Sequence, residues 1–265
     1  MTIGIFDSGM GGLTVMRALK ARLPRESFLY LGDTARLPYG TKSAETVTRY
    51  ALQAARALLA HDIKLLVVAC NTASAAALPA LTAALAPLPV VGVIQPGAAA
   101  AVQAAPNGPI AVIATEGTVK GGAYVRAIQD LAPRMAVAQK AAPLFVALAE
   151  EGLRDGEIAR LVAERYLTPL LATLPRPKGL VLGCTHFPVL KDVIAQVAGG
   201  DVAIIDSAET TAQAVEGILK ERHLLAAGEG ASRFLCTDAP GRFAHLGEIF
   251  LGEPIDPGAV TLVDL

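Results

Sequence analysis

Cys70 and Cys184 are the side chains of this sequence best suited to chemistry. Each follows an apolar run, at 65–69 and 179–183, and each precedes small polar residues. Apolar runs of this length, rich in branched residues, indicate buried parallel strands. Ligands of open α/β sheets bind beyond the carboxyl ends of such strands. We therefore expect both thiols at ligand-binding edges.

The chemistry of two such thiols points to proton transfer. One free cysteine is usually a small core hydrophobe, but two at equivalent strand ends favour a functional role. A Cys184 nucleophile assisted by His186 is conceivable, although no Cys-His-Asn pattern accompanies it. A thiol, with an ordinary pKa of about 8.5, can also act as a base. Two thiols on opposite walls of a cleft could take a proton from one face of a carbon and return one to the other face, without a cofactor. Cys236 has no such partner, and we interpret it as structural.

Three further groups are of the kinds that move protons and tune thiols: Asp7, Glu150 and His186. Asp7 ends a short apolar strand and opens the glycine-rich turn at 8–12. The glycine spacing fits neither common phosphate-binding signature. Two alternatives remain, a plain strand-to-helix turn and an anchor for a small polar ligand, and the cysteines favour the anchor.

The elements that must position these residues alternate between strand and helix, which predicts βαβ crossovers and parallel sheets. Asn71 or Thr72 is predicted to cap a helix beginning at Ala73. The predicted strands are 3–6, 28–33, 65–69, 89–94, 110–114, 136–142, 179–183, 202–205 and 233–237. The predicted helices include 43–59, 119–131, 155–171, 188–197, 208–222 and 243–250.

This pattern predicts an α/β protein of two similar lobes, each a mostly parallel sheet flanked by helices, with the active site in the cleft between them. The first lobe is predicted to be discontinuous, comprising 1–96 plus 208–265, and the second to comprise 97–207. The stretch 95–97, Gln-Pro-Gly, is the candidate hinge.

Composition excludes several classes of function. The 265 residues carry a net charge of −1, so no electrostatic argument supports binding to nucleic acid or to an anionic membrane. The start of the chain lacks the features of a signal peptide, and the most apolar stretch, 73–94, is interrupted by three prolines. Three cysteines without a Cys-x-x-Cys pair predict reduced thiols in the cytoplasm and no metal site.

Four stretches together resemble the bacterial glutamate racemases of the aspartate/glutamate racemase superfamily. They are Gly-Ile-Phe-Asp-Ser-Gly-Met-Gly-Gly at 4–12, Asp-Thr-Ala-Arg-Leu-Pro-Tyr-Gly at 33–40, Ala-Cys-Asn-Thr-Ala-Ser at 69–74 and Gly-Cys-Thr-His-Phe-Pro at 183–188. They occur in the family's order and spacing, and the likeness covers essentially the whole chain. That family needs no cofactor and is often dimeric, so the resemblance implies no cofactor and a homodimer.

The resemblance also implies roles for individual residues. Cys70 would exchange the α-proton of D-glutamate and Cys184 that of L-glutamate, and the product would supply D-glutamate for peptidoglycan. Asp7 would assist Cys70, and His186 would assist Cys184, with Glu150 as a further acidic residue of the site. The implied substrate-binding residues are Asp7, Ser8, Pro38, Tyr39, Gly40, Cys70, Asn71, Thr72, Thr115, Thr118, Cys184, Thr185 and His186.

Two other functions stay open at the level of sequence. The chain could be an aspartate racemase or another two-thiol isomerase of the superfamily, although the Pro38-Tyr39-Gly40 loop and the N-terminal turn favour glutamate. A two-lobed small-molecule binding protein without chemistry is the alternative from a different class.

Overall fold

The computed structural model of the chain describes residues 1–173 and 175–265. Its strands in that part of the chain are β1 (Thr2–Asp7), β2 (Phe28–Gly32), β3 (Ile63–Val68), β4 (Val90–Gly92), β5 (Ile110–Ala114), β6 (Val137–Ala141), β7 (Gly179–Gly183), β8 (Ala203–Asp206), β9 (Ser232–Cys236) and β10 (Val260–Leu262). Because buried apolar runs alternate with amphipathic stretches, the strands form sheets and the intervening segments cover them.

The helices of the described residues are α1 (Leu13–Arg22), α2 (Ala44–Leu59), α3 (Asn71–Leu85), α4 (Ile94–Ala104), α5 (Glu116–Gly121), α6 (Ala123–Leu131), α7 (Leu144–Glu150), α8 (Gly156–Leu171), α9 (Lys191–Ala198), α10 (Ser207–Glu221) and α11 (Pro240–Leu251). Short 3-10 helices lie at Tyr39–Thr41, Phe187–Leu190 and Pro257–Ala259. Among the helices of 1–173 and 175–265, none combines the length and apolar character that a membrane span requires.

Two parallel sheets organise the molecule. One has the strand order β10-β9-β2-β1-β3-β4 and the other has the order β6-β5-β7-β8. The strand pairs in both sheets are parallel. Strands β1 and β3 are adjacent interior strands of the first sheet, and β5 and β7 are the interior strands of the second. The predicted α/β class, with two parallel sheets flanked by helices, is confirmed.

Central placement of these strands brings the predicted functional residues to the carboxyl edges of the sheets. Asp7 is the last residue of β1, and Cys70 lies just beyond the end of β3, the neighbouring strand. Cys184 follows β7 directly, and Thr115 follows the adjacent β5. Each of these strands is almost completely buried, which fixes the point at which the polar residues emerge.

Two predictions about the first half of the chain were wrong. Helix α3 begins at Asn71, and Cys70 is its N-cap, with the sulfur accepting a hydrogen bond from the backbone N–H of Ala73. The stretch 95–97 is not a loop at the end of a strand but lies in the first turn of α4. A proline in that turn lacks only an N–H that would have no partner within the helix, so the helix tolerates it.

Three features later in the chain also differ from the predictions. The single helix predicted at 119–131 is divided into α5 and α6 at Gly122, whose φ of 61° ends the first helix in the left-handed conformation. The helix predicted at 188–197 begins as a 3-10 turn and becomes α-helical at Lys191. Strand β10 was not predicted, because three residues near the end of the chain give little periodic signal.

Candidate active site

A cavity of about 300 Å³ lies between the carboxyl edges of the two sheets. Both Cys70 and Cys184 line it, so the two thiols face one enclosed space. Most of the residues implied by the resemblance line the same cavity: Ser8, Pro38, Tyr39, Gly40, Cys70, Asn71, Thr72, Thr115, Glu150, Cys184, Thr185 and His186. The volume is at the lower end of the range for small-molecule sites, which suits a metabolite of few atoms.

Two implied residues, Asp7 and Thr118, lie behind the cavity lining rather than in it. Asp7 is completely buried at the end of β1, and Thr118 is buried in α5. Thr118 is within hydrogen-bond distance of Thr72 at 3.3 Å and of Thr115 at 3.0 Å. The three hydroxyl groups form a cluster at the cavity, joining helix α3 beside the first sheet to the strand end of the second.

The wall around Cys70 combines a helix N-terminus with a buried carboxylate. The sulfur lies 3.4 Å from the backbone nitrogen of Ala73 at the start of the fifteen-residue helix α3. One carboxylate oxygen of Asp7 accepts a hydrogen bond of 2.9 Å from Gly9, and the other has no partner among the residues described. A Cβ at Gly12 would lie 2.5 Å from the Cβ of Asp7, so only glycine leaves room for this carboxylate.

This wall holds its protons strongly. Burial, followed by the negative charge of Asp7, raises the pKa of the Cys70 thiol to about 12. Burial also raises the pKa of Asp7 above its ordinary value, although the charge of His186 and backbone N–H groups oppose the shift. Desolvation disfavours the charged form of each group, so Cys70 is a neutral thiol at neutral pH.

The wall around Cys184 carries an imidazole between a sulfur and a carboxylate. His186 Nδ1 lies 3.8 Å from the sulfur of Cys184, and Nε2 lies 3.1 Å from Oε1 of Glu150. The other oxygen of Glu150 lies 3.9 Å from a guanidinium nitrogen of Arg242, whose side chain is mostly exposed. The ring of Phe250 packs edge-on against the imidazole.

The partners of His186 keep it protonated. Burial alone would lower the pKa of His186, but hydrogen bonds with Cys184 and Glu150, together with charge interactions with Cys184 and Asp7, outweigh it and raise the pKa to about 10. The hydrogen bond with His186 in turn lowers the pKa of Glu150. A cationic imidazole therefore lies beside the sulfur of Cys184.

The glycine-rich turn of the first sheet supports the second wall. A Cβ at Gly11 would lie 2.5 Å from Nδ1 of His186, so the turn packs directly against the imidazole. The hydroxyl of Thr14, in α1, lies 3.1 Å from the carbonyl oxygen of Thr185. The turn that opens with Asp7 therefore serves both thiols.

A buried polar network fixes the loop that contributes Pro38, Tyr39 and Gly40. The hydroxyl of Tyr39 donates to the carboxylate of Asp33, the residue that directly follows β2. Arg36 and Thr237 also donate to the carboxylate of Asp33, at 2.7 and 2.9 Å. Since this carboxylate is completely buried and has three donors, it holds the loop over the cavity.

Sequence reasoning missed part of the cavity lining: Leu37, Thr41, Glu116, Pro143, Val146 and Ala147. Apart from Glu116, these side chains carry no titratable group, so only their position next to predicted residues could have identified them. It also missed Arg242 and Asp33, which act on cavity residues from outside the lining. For Asp33 a signal existed, because it is a carboxylate at a predicted strand end.

Comparison with known proteins agrees with this architecture. Residues 3–215 match the model of the Asp/Glu/Hydantoin racemase family. A glutamate racemase of Geobacter metallireducens is 51% identical over 255 residues, which cover 94% of this chain and 92% of that protein. The structure of a glutamate racemase from Bacillus anthracis superposes with a TM-score of 0.94 at 40% identity, covering 100% of this chain and 97% of that one.

A third relative was solved with a ligand. The glutamate racemase of Francisella tularensis, crystallised in complex with D-glutamate, has a TM-score of 0.92 and 36% identity, covering 99% of this chain and 97% of that one. The sequence and the two-sheet fold of this chain are therefore both similar to those of glutamate racemases. The chain belongs to the Asp/Glu/Hydantoin racemase family and, within it, to the glutamate racemases, which are isomerases.

Proposed function

We propose that this protein interconverts L-glutamate and D-glutamate without a cofactor, by a two-base mechanism that uses Cys70 and Cys184. The observation that carries the proposal is that the two thiols come from different sheets and line one small cavity. Two acid/base groups on opposite walls are what inversion at one carbon requires. The charged groups around each thiol suggest its role.

In the direction from L-glutamate, the thiolate of Cys184 takes the α-proton. The electron pair of the broken Cα–H bond stays on the substrate as a carbanion delocalised into the α-carboxylate. Cys70 then delivers its S–H proton to the opposite face of the α-carbon. Cys184 is left as a thiol and Cys70 as a thiolate. The reverse reaction runs from that state, and release of the product lets both thiols exchange protons with His186, Asp7 and water.

The resting protonation state suits the direction from L-glutamate. His186, with a pKa raised to about 10, is a cation at neutral pH and lies beside the sulfur that takes the proton. Cys70, with a pKa raised to about 12, carries the proton to be delivered. For the direction from D-glutamate, Cys70 must lose that proton, and Asp7 is the group placed to assist it.

The α-proton of an amino acid is weakly acidic, so the site must stabilise the charge that develops on the carboxylate. Backbone N–H groups at the turns after Asp7, Cys70 and Cys184 are suitable donors, together with the hydroxyls of Thr72 and Thr115. Exclusion of water strengthens these interactions. We propose that the first lobe (1–96 plus 208–265) and the second lobe (97–207) close over the substrate and thereby exclude water.

A direct test follows the optical rotation of L-glutamate incubated with the pure protein and no added cofactor. We expect decay to zero rotation, and a constant signal from folded protein would refute the proposal. L-aspartate in a parallel reaction separates an aspartate racemase from a glutamate racemase. Binding of glutamate without exchange of its α-hydrogen in deuterated water would identify a binding protein.

The two-base assignment has its own test in the single variants Cys70→Ser and Cys184→Ser. In deuterated water, Cys70→Ser should exchange the α-hydrogen of L-glutamate faster than that of D-glutamate, because only the Cys184 wall keeps its base. Cys184→Ser should show the opposite preference. The same preference in both variants would contradict two bases on two walls, and the measurement is proton NMR of the α-position.

We also propose that the product supplies D-glutamate for peptidoglycan. A bacterium that requires D-glutamate because its own racemase is deleted should grow without the supplement when it expresses this chain. The Cys184→Ala variant, expressed to the same level, is the matched control and should not support growth. Growth with both proteins, or with neither, would contradict the role.

A further inference from the structure

Tyr124 is a buried side chain next to the cavity with no part in the proton transfers described above. It belongs to α6, is fully buried, and is not among the cavity-lining residues. We propose that Tyr124 is a positioning residue that holds the side-chain amide of Asn71 with its oxygen free for the ammonium group of the substrate. This inference rests on the proposed function, because it takes an amino acid as the ligand.

The contact that supports the proposal joins the two halves of the site. Asn71 begins α3, beside the first sheet, and its Nδ2 donates a hydrogen bond of 2.8 Å to the hydroxyl of Tyr124. Tyr124 packs in the core of the second half, together with Ile110, Val112 and Val181. Asn71, unlike Tyr124, lines the cavity. The orientation of a cavity side chain is thus set from the opposite lobe.

The hydroxyl of Tyr124 is itself held in place. The side chain of Ser207, at the start of α10, lies beside it. A Cβ at Gly97 would lie 3.3 Å from the tyrosine oxygen and 3.3 Å from the Cβ of Ser207, so Gly97 packs closely against both groups. A buried aromatic ring has few rotamers, and the hydroxyl of this one accepts the hydrogen bond from Asn71.

The bond to Tyr124 decides which end of the amide is available to a ligand. An amide carries two donors on nitrogen and one acceptor oxygen, and here the nitrogen is bound. The oxygen, Oδ1, is buried and has no hydrogen-bond partner among the residues that the structure describes. Leaving such an acceptor unpaired is costly, so a ligand donor is expected to satisfy it.

Glutamate offers one strong donor. At neutral pH both carboxylates are acceptors only, and the α-ammonium group supplies all the charged N–H donors. With the amide held as observed, Oδ1 of Asn71 can accept from that ammonium. Turned by 180°, the amide would present N–H groups to the ammonium, and donor would face donor. Tyr124 therefore sets the polarity of one substrate contact without touching the substrate.

The decisive variant is Tyr124→Phe, which removes one oxygen and keeps the ring. Loss of one hydrogen bond that orients the amide should raise KM for L- and D-glutamate about tenfold, the range expected for one orienting interaction. We expect kcat within about twofold of wild type, because a contact present equally in substrate and transition state affects binding alone. Thermal unfolding should show that the variant stays folded.

Two further variants separate positioning from general damage. Tyr166→Phe, the matched control, loses a hydroxyl whose one hydrogen bond within 1–173 and 175–265 comes from the backbone N–H of Leu144, and should leave KM unchanged. In an Asn71→Ala background, adding Tyr124→Phe should raise KM no further. If Tyr124→Phe is unfolded, Ser207→Ala tests the same chain of contacts, and an unchanged KM in that folded variant overturns the proposal.

The outcomes distinguish this inference from the proposed function. An unchanged KM in folded Tyr124→Phe overturns the positioning role, as does a further tenfold loss when it is combined with Asn71→Ala. If wild type binds D-glutamate in a calorimetric titration but racemises nothing, the proposed function fails. The ratio of dissociation constants between Tyr124→Phe and wild type then still decides the positioning role: a tenfold ratio supports it and a ratio of one refutes it.

Discussion

The two walls of the cavity begin from the same sequence pattern and reach different electrostatics. On one wall, Cys70 caps the long helix α3, and its neighbour is the buried carboxylate of Asp7. On the other, Cys184 precedes only a short 3-10 turn, and its neighbour is an imidazole paired with Glu150. Both thiols are buried, but Cys70 has a carboxylate as its neighbour and Cys184 has a cationic imidazole.

This difference teaches that a repeated strand-end cysteine does not make two equivalent bases. The environment of Cys70 favours the neutral thiol, whereas Cys184 lies beside a cationic imidazole. An enzyme that works in both directions can begin a turnover with one of its two acid/base groups already protonated. The predictions below test this asymmetry, beginning with the largest effect.

Removing either thiol should abolish turnover. Cys70→Ala and Cys184→Ala should each lower kcat/KM for glutamate at least about 10³-fold, since each removes a general acid/base. Cys236→Ala is the matched control, because Cys236 is buried in β9 away from the cavity, and its activity should stay near that of wild type. More than a tenth of wild-type activity in either of the first two variants would contradict the mechanism.

Weakening one wall at a time should reveal which direction it serves. Asp7→Asn and His186→Asn should each lower kcat/KM about 10²-fold. The two enantiomers have equal free energy in water, so kcat/KM must fall equally in both directions. We expect kcat from L-glutamate to fall more in His186→Asn, and kcat from D-glutamate to fall more in Asp7→Asn. The same ratio of kcat values in both variants would show that the walls are not specialised.

Glu150→Gln should shift the pH dependence of the Cys184 wall. The carboxylate helps to raise the pKa of His186 to about 10, so its neutralisation should lower that pKa. The imidazolium would then be lost at lower pH, and the basic limb of the kcat/KM profile should move to lower pH, with about a tenfold loss of activity at pH 8. A basic limb that stays in place or moves upward would contradict this coupling.

Arg242→Gln should have the smallest effect. The guanidinium lies 3.9 Å from Glu150 and its side chain is 61% exposed, so solvent screens the pair. We expect kcat/KM to change less than about threefold, a limit consistent with the energy of exposed ion pairs. A loss as large as that of Glu150→Gln would mean that Arg242 governs the His186–Glu150 pair. The measurement is the same pH profile.

Local sequence signals were enough for the strands other than β10 and for the thiols. The apolar runs before Cys70 and Cys184 predicted two buried parallel strands, because strands buried on both faces need continuous apolar sequence. The start of α3 was less well predicted, because sulfur is a weak acceptor and cysteine an unusual cap. The helical turn at 95–97 was missed, because proline and glycine signal a loop unless the helix begins there.

Contacts between the lobes left little trace in the sequence. No local sequence pattern indicates that Gly11 packs on His186, or that Tyr124 accepts a hydrogen bond from Asn71. These pairs are far apart in the chain and are joined only by the packing of one sheet against the other. The division into lobes and the individual site roles stay predictions.

The sequence by itself determined the parallel α/β architecture and the set of reactive groups, because strand burial, turn chemistry and side-chain type are local properties. Only the tertiary structure decided which groups share a cavity and what charge each carries. Burial, a neighbouring carboxylate and a neighbouring imidazole act through space over a few ångströms, and they give the two cysteines different surroundings.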